Sequence, residues 1–155
     1  MQYHYYFAYG SNLNFRQMKK RCPGTRIISR AEKNNHTLCF PMVSSMRGNS
    51  GVASIKKSKG NTVEGVVYRI TAEDMKSLDE FEALGKRYTR KKIYIFKPGN
   101  IKKLVWTYVA ISDHQNNFRP SAEYLDLILS GAKFHKLSNG YMNKIIKGVR
   151  KSHPL

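Results

Sequence analysis

Tyr6-Phe7-Ala8-Tyr9-Gly10-Ser11-Asn12-Leu13 is a strand that runs into a glycine turn and then into a helix start. From Tyr3 to Tyr9 nearly every residue is aromatic or small, the pattern of a strand buried on both faces. Gly10-Ser11-Asn12 breaks that run. Asn12 is expected to cap a short helix carrying Leu13, Phe15 and Met18, which ends before Cys22-Pro23-Gly24. Such a joint can aim free backbone N–H groups at an anion, a carboxylate or a phosphate. Taken alone, it more often binds nothing. Gly10 is read as a position of close backbone approach and positive φ.

Further along the chain, Thr25 to Ser29, Thr37 to Phe40 and Val52 to Ile55 read as short strands. Asn34-Asn35 and the loop Arg47 to Gly51 separate them. Val63 to Ile70 is a firmer strand. Thr71-Ala72-Glu73-Asp74 marks a helix start, with a threonine cap and acids in the first turn. That helix is expected to run to about Ala83 and stop at Gly85. Tyr88 to Phe96 and Leu104 to Ile111 predict a hairpin around Pro98-Gly99-Asn100. Pro120-Ser121 opens a helix striped by Tyr124, Leu125, Ile128 and Leu129, and a last helix covers Gly140 to Lys147. The reading is one α+β domain over residues 1–155, with a mixed or antiparallel sheet that can curl into a barrel.

The helix after Thr71 carries a carboxylate in the wrong place for a surface residue. At about 100° per residue with Met75 as zero, Leu78 falls near 300° and Glu82 near 340°, inside the apolar stripe. Asp79, near 40°, borders the stripe, whereas Glu73 and Glu80 face away. A carboxylate aimed at a core is costly unless paired, protonated or serving a site. Desolvation lifts its pKa toward neutrality, as a general base requires. The competing reading is a helix-end glutamate bridging to Arg87 or Arg90, or reaching water past the fraying last turn.

Composition narrows the classes. Lys and Arg number 28 against 10 Asp and Glu, a formal charge of +18. That field attracts nucleic acid, anionic membrane or small acidic ligands. The bases are spread along the chain, from Lys19-Lys20-Arg21 to the run between Lys147 and Lys151, as on a solvated surface. The five histidines show no ligand spacing, so no metal site is expected. Cys22 and Cys39 form no CxxC pair and read as reduced structural thiols. No apolar run approaches the roughly 20 residues of a membrane helix. Met1-Gln2-Tyr3-His4-Tyr5 has neither the basic nor the apolar segment of a signal peptide, and a cytoplasmic location is expected.

Tyr6 to Leu13 resembles the Y-F-A-Y-G-S-N-L signature of the γ-glutamylcyclotransferase family. Gly51-Val52-Ala53-Ser54-Ile55 is similar to its G-x-A-x-I strand, and Val63 to Tyr68 to its V-x-G-V-x-Y strand. Leu78-Asp79-Glu80-Phe81-Glu82 resembles its L-D-x-x-E segment, and Pro120 to Tyr124 its P-S-x-x-Y, with Gly131-Ala132-Lys133 following in family order. The resemblance implies a small mixed, mainly antiparallel barrel with flanking helices. It also implies Glu82 as the catalytic acid/base, Tyr9, Gly10, Ser11, Asn12 and Leu13 as the loop holding the γ-glutamyl group, and Tyr88, Tyr108 and Tyr124 as cavity tyrosines. For Tyr88 and Tyr108, cross-strand packing is an equal reading.

The implied reaction is release of 5-oxoproline from a small acidic γ-glutamyl compound, without metal or organic cofactor. Two alternatives stand beside it. The same fold can act on γ-glutamylamines or glutathione, and a basic scaffold of this kind can serve as a non-enzymatic nucleic-acid-binding module.

Overall fold

The structure is a computed structural model, and it describes residues 2–153. Met1, the first residue of the segment read for a leader, lies outside them. Five strands close into a barrel in the order β1-β3-β2-β4-β5: β1 (Tyr3–Ala8), β2 (Arg26–Ser44), β3 (Ser50–Thr71), β4 (Tyr88–Lys97) and β5 (Ile101–Ala110). Four pairings are antiparallel, and the barrel closes where β5 meets β1 in parallel at Tyr6 and Trp106. Helices α1 (Phe15–Arg21), α2 (Ala72–Phe81), α3 (Ala122–Phe134) and α4 (Asn139–Arg150) flank it. The α+β class and the mainly antiparallel barrel agree with the sequence reading.

The middle strands differ from it. Thr25 to Ser29 and Thr37 to Phe40 belong to a single strand, β2, and Val52 to Ile55 continues through Val63 to Ile70 as β3. Asn34-Asn35 punctuates without terminating. The register shifts there, Asn35 adopts φ 56°, and its Oδ1 accepts from Gly60 N on β3 at 3.1 Å. Asparagine tolerates the left-handed conformation and supplies its own acceptor, so a turn-forming pair is absorbed as a bulge. Three such shifts bend β2 along β3, the curvature a closed barrel needs.

Helix starts follow the local code closely. Thr71 Oγ1 accepts from Asp74 N at 3.0 Å while Asp74 Oδ2 accepts from Thr71 N at 3.1 Å, a reciprocal capping box. Ser121 caps α3 through Tyr124 N. The hairpin β4–β5 turns at Pro98-Gly99-Asn100, where Gly99 and Asn100 hold positive φ.

Cys22 and Cys39 are free and buried, and burial pushes both thiols up to about 12. The thiolate is the reactive form, so both should resist iodoacetamide at pH 8 in the native protein and label only on unfolding. Rapid native labelling, read by mass spectrometry, is the contrary result.

Candidate active site

The joint after β1 is built from two short turns in succession. Leu13 N donates to Gly10 O and Asn14 N to Ser11 O, both at 3.0 Å, closing a 3-10 turn over Ser11–Leu13. Asn14, rather than Asn12, then caps α1 by accepting from Gln17 N at 3.0 Å. The extra turn delays the helix and leaves the Asn12 side chain free to point inward. Its Nδ2 donates to the Tyr6 hydroxyl at 3.1 Å, and its Oδ1 accepts from Gln17 Nε2 at 3.0 Å and from an Arg21 Nη at 3.1 Å. The backbone N–H groups of Ser11 and Asn12 take no hydrogen-bond partner among the described residues. These are the orphan donors of a helical first turn. Gly10 has φ −107°, so positive φ is not its reason. Space is: a Cβ there would lie 3.3 Å from the Ala53 Cβ.

Glu82 stands at the other wall. α2 ends at Phe81, two residues earlier than the sequence suggested, and Glu82 is its C-cap. Leu84 N donates to Asp79 O at 2.9 Å and Ala83 N to Glu80 O at 3.1 Å, the paired bonds of a Schellman motif. Ala83 occupies the left-handed position at φ 47°, where glycine is the usual residue. That conformation costs an alanine about 1 kcal/mol. The stripe phase nevertheless holds, with Met75 and Leu78 buried on the same side.

Glu82 is half-buried and lines a cavity, and burial raises its pKa to about 7. Arg21 and Arg47 pull in the opposite direction without cancelling that effect. The bridging alternative does not occur. Arg90 pairs with Asp79 at 2.6 Å, the one ion pair among the described residues, and an Arg87 Nη donates to Val43 O.

The cavity has a volume of about 230 Å³. Tyr9, Gly10, Ser11, Asn12, Tyr88, Tyr108 and Tyr124 line it together with Glu82. Leu13 does not: its side chain is fully buried in the core, and its carbonyl accepts from His135 Nε2 at 3.0 Å. The tyrosine hydroxyls are anchored. Tyr9 donates to Tyr108 O, Tyr88 to Ala53 O at 2.8 Å, and Tyr108 to Asp79 Oδ1 at 2.6 Å; Tyr124 accepts from Ala53 N at 3.0 Å. Burial raises the pKa of all four, Tyr124 to about 12, so they form a neutral wall.

Sequence reasoning missed Tyr6, Gln17, Arg21 and Arg47. Arg21 was visible only as part of the basic run Lys19-Lys20-Arg21, and Arg47 only as the first residue of the loop Arg47 to Gly51. The one local hint was Gln17 and Arg21 at i and i+4, on one face of α1.

Ser11 Oγ accepts from Gln17 Nε2 at 2.9 Å and has no histidine beside it to activate it. Ser11→Ala should therefore lower turnover only a few-fold, the scale of one neutral hydrogen bond. A covalent acyl-serine trapped during turnover is the outcome that would exclude this role.

The arrangement combines a carboxyl whose pKa is raised to about 7, free backbone donors and a cavity that both face. The family model described as "Gamma-glutamyl cyclotransferase, AIG2-like" matches residues 6–127. The chain is 29% identical over 147 residues to the Gamma-glutamylcyclotransferase of Mus musculus, covering 90% of this chain and 76% of that protein. It is 27% identical over 148 residues to that of Homo sapiens, with the same shares covered. A solved structure titled "Gamma-glutamyl cyclotransferase" superposes with a TM-score of 0.84 at 25% identity, over 99% of this chain and 90% of that one.

Proposed function

We propose that in this chain, which belongs to the gamma-glutamyl cyclotransferase, AIG2-like family and is an enzyme of that type, Glu82 is the acid/base that closes a γ-glutamyl compound to 5-oxoproline. The observation that carries this reading is a carboxyl with a pKa of about 7 in one cavity with the free N–H groups of the Ser11-Asn12 turn.

The α-amine of the substrate is an ammonium at neutral pH and cannot attack until deprotonated. Glu82 takes that proton. The freed nitrogen forms a bond to the γ-carbonyl carbon, and the carbonyl electrons move onto oxygen, where the turn's N–H groups are suited to receive them. Collapse breaks the bond to the leaving nitrogen, to which Glu82 returns the proton. The ring nitrogen gives up its second proton through the emptied carboxylate to the departing amine, which leaves as an ammonium. Amine and carbonyl belong to one chain, so holding it bent makes the attack a well-oriented intramolecular step, worth several kcal/mol. Tyr9, Gly10, Tyr88, Tyr108 and Tyr124 shape the cavity around that bent chain, and Leu13 supports the turn from the core. The whole chain acts as one domain, and the net positive charge attracts an acidic substrate.

No helix among the described residues is long and apolar enough to cross a membrane. Two buried thiols, free among the described residues, suit the cytoplasm we assign it to.

The deciding experiment incubates the protein with a panel of γ-glutamyl compounds and identifies the product by mass spectrometry. 5-Oxoproline together with the free amine or amino acid is expected. Glutamate as the first product would make the enzyme a hydrolase and remove the cyclisation.

A further inference from the structure

We propose that the outward face of the β4–β5 hairpin docks on an anionic lipid bilayer, so that the enzyme binds membranes peripherally without crossing them. None of the side chains involved lines the Glu82 cavity.

From Tyr88 to Ala110 the chain holds six bases and no acid: Arg90, Lys91, Lys92, Lys97, Lys102 and Lys103. Alternation along a strand sends every second side chain to the same face. Ile95, Val105 and Thr107 are buried, so the alternate positions, Lys92, Tyr94 and Phe96 on β4 and Lys102, Leu104 and Trp106 on β5, face outward. They meet as three cross-strand rungs: Lys92 with Trp106, Tyr94 with Leu104, and Phe96 with Lys102.

The rungs join apolar surface to charge. Tyr94 is 51% exposed and Leu104 43%, and Ile101 beside the turn is 55% exposed. Cations lie over the rings. Arg90 is 4.8 Å and Lys92 Nζ 5.0 Å from the centre of Trp106, and Lys102 Nζ is 4.4 Å from that of Tyr94. The lysines have no acidic partner among the described residues. Asp79 is spent on Arg90, and Glu32, opposite Phe96 on β2, is one charge against the five lysines of the hairpin. A further lysine, Lys33, joins them by donating to Tyr94 O at 3.0 Å. Burial, then Lys102, holds Lys33 below the usual lysine range, and burial, then Lys97, does the same to Lys103. Like charges crowd here without an acid to relieve them.

Unbalanced cations interleaved with exposed apolar side chains match a partner that is both anionic and apolar. At a bilayer the lysine ammoniums reach lipid phosphates and carboxylates, while their stems, Tyr94 and Leu104 enter the headgroup boundary, where Trp and Tyr concentrate. A second copy of the chain is a poor occupant, because this face would meet its own charge. Single-stranded nucleic acid fits less well than lipid, because base stacking needs free ring faces. Trp106 is half-buried with Arg90 and Lys92 over it, and the aliphatic Leu104 and Ile101 offer a base no ring to stack on.

The test is cosedimentation of the full chain with vesicles of phosphatidylcholine, alone or mixed with phosphatidylserine. Binding is expected to the mixed vesicles only, at about 0.1 M salt, with release at about 1 M. Lys92→Gln/Lys102→Gln should lower the vesicle partition coefficient by roughly 30-fold, about fivefold for each charge taken from the anionic surface. Leu104→Ser should lower it by roughly tenfold through the lost apolar contact. Lys144→Gln/Lys147→Gln removes the same charge from exposed positions of α4, and should change it by less than about twofold. Thermal melts establish that each variant is folded, and if Leu104→Ser is not, the lysine pair decides. No binding to the mixed vesicles, equal binding to phosphatidylcholine alone, an equal loss in the α4 pair or an unchanged folded Leu104→Ser variant overturns the proposal. So does a single-stranded oligothymidylate that displaces the vesicles and loses affinity in the Lys92→Gln/Lys102→Gln variant, which would assign the face to nucleic acid.

Discussion

Glu82→Gln should reduce 5-oxoproline release by roughly 10²–10⁴ while leaving the protein folded, because a positioned general base is lost and little packing changes. Glutamine keeps the size and hydrogen-bonding reach of the side chain but cannot accept the proton. The native enzyme should lose activity on the acid side with a midpoint near 7, since Glu82 is active as base only when ionised. Stability should respond in the opposite sense. The folded pKa lies above the ordinary value of 4.5, so the native state holds the proton more tightly than the unfolded chain. Glu82 therefore lowers stability as pH rises from about 4.5 to 7, with an upper bound of about 3 kcal/mol. Glu82→Gln removes that dependence and should melt higher than native at pH 8. Glu80→Gln is the appropriate control, since Glu80 is exposed. Asp79 is a poorer one: it borders the stripe as read from the sequence, yet it also receives the Tyr108 hydroxyl and Arg90. A folded Glu82→Gln enzyme with native turnover would remove Glu82 from the chemistry.

The second large effect is expected at Gly131, which no reaction step involves. α3 crosses the Ser11–Leu13 turn at this residue. A Cβ there would lie 2.2 Å from the Leu13 carbonyl carbon and 2.5 Å from Asn14 N. Both atoms are backbone, locked by the Asn14 N–Ser11 O bond and by the cap on α1, so neither can swing aside. Gly131→Ala should cost about 3 kcal/mol or more, the upper range for overpacking, and lower the melting temperature by roughly 6–12 °C. Because the displaced segment carries the free Ser11 and Asn12 donors, activity should fall further than stability alone explains. Gly148→Ala, with nothing within 4 Å of the added carbon, is the matched control and should melt at or above native. Equal melting of the Gly131→Ala variant and the native protein would mean that α3 and the turn are not in this contact.

The strand-turn-helix joint at Tyr6 to Leu13, the Thr71 capping box and the inward phase of Glu82 were all readable along the chain. Each is set by groups within about four residues of one another, where caps and helical periodicity act. The error over the end of α2 has the same local origin. Gly85 is the natural terminator, and only the strained Ala83 carries the left-handed turn that ends the helix earlier. Joining of the short strands into β2 and β3 could not be read, because Asn34-Asn35 spells a turn until Gly60 on β3 supplies the partner that makes it a bulge. Nor could the separation of Arg21 and Arg47 from the other basic residues. A guanidinium facing a cavity and one facing solvent are the same letter. What distinguishes them is Gln17, bonded to Arg47 across 30 positions of chain, in a contact that exists only once the barrel closes. Local rules thus marked the carboxylate proposed as base and the turn that offers donors, whereas long-range packing decided which charges face the cavity.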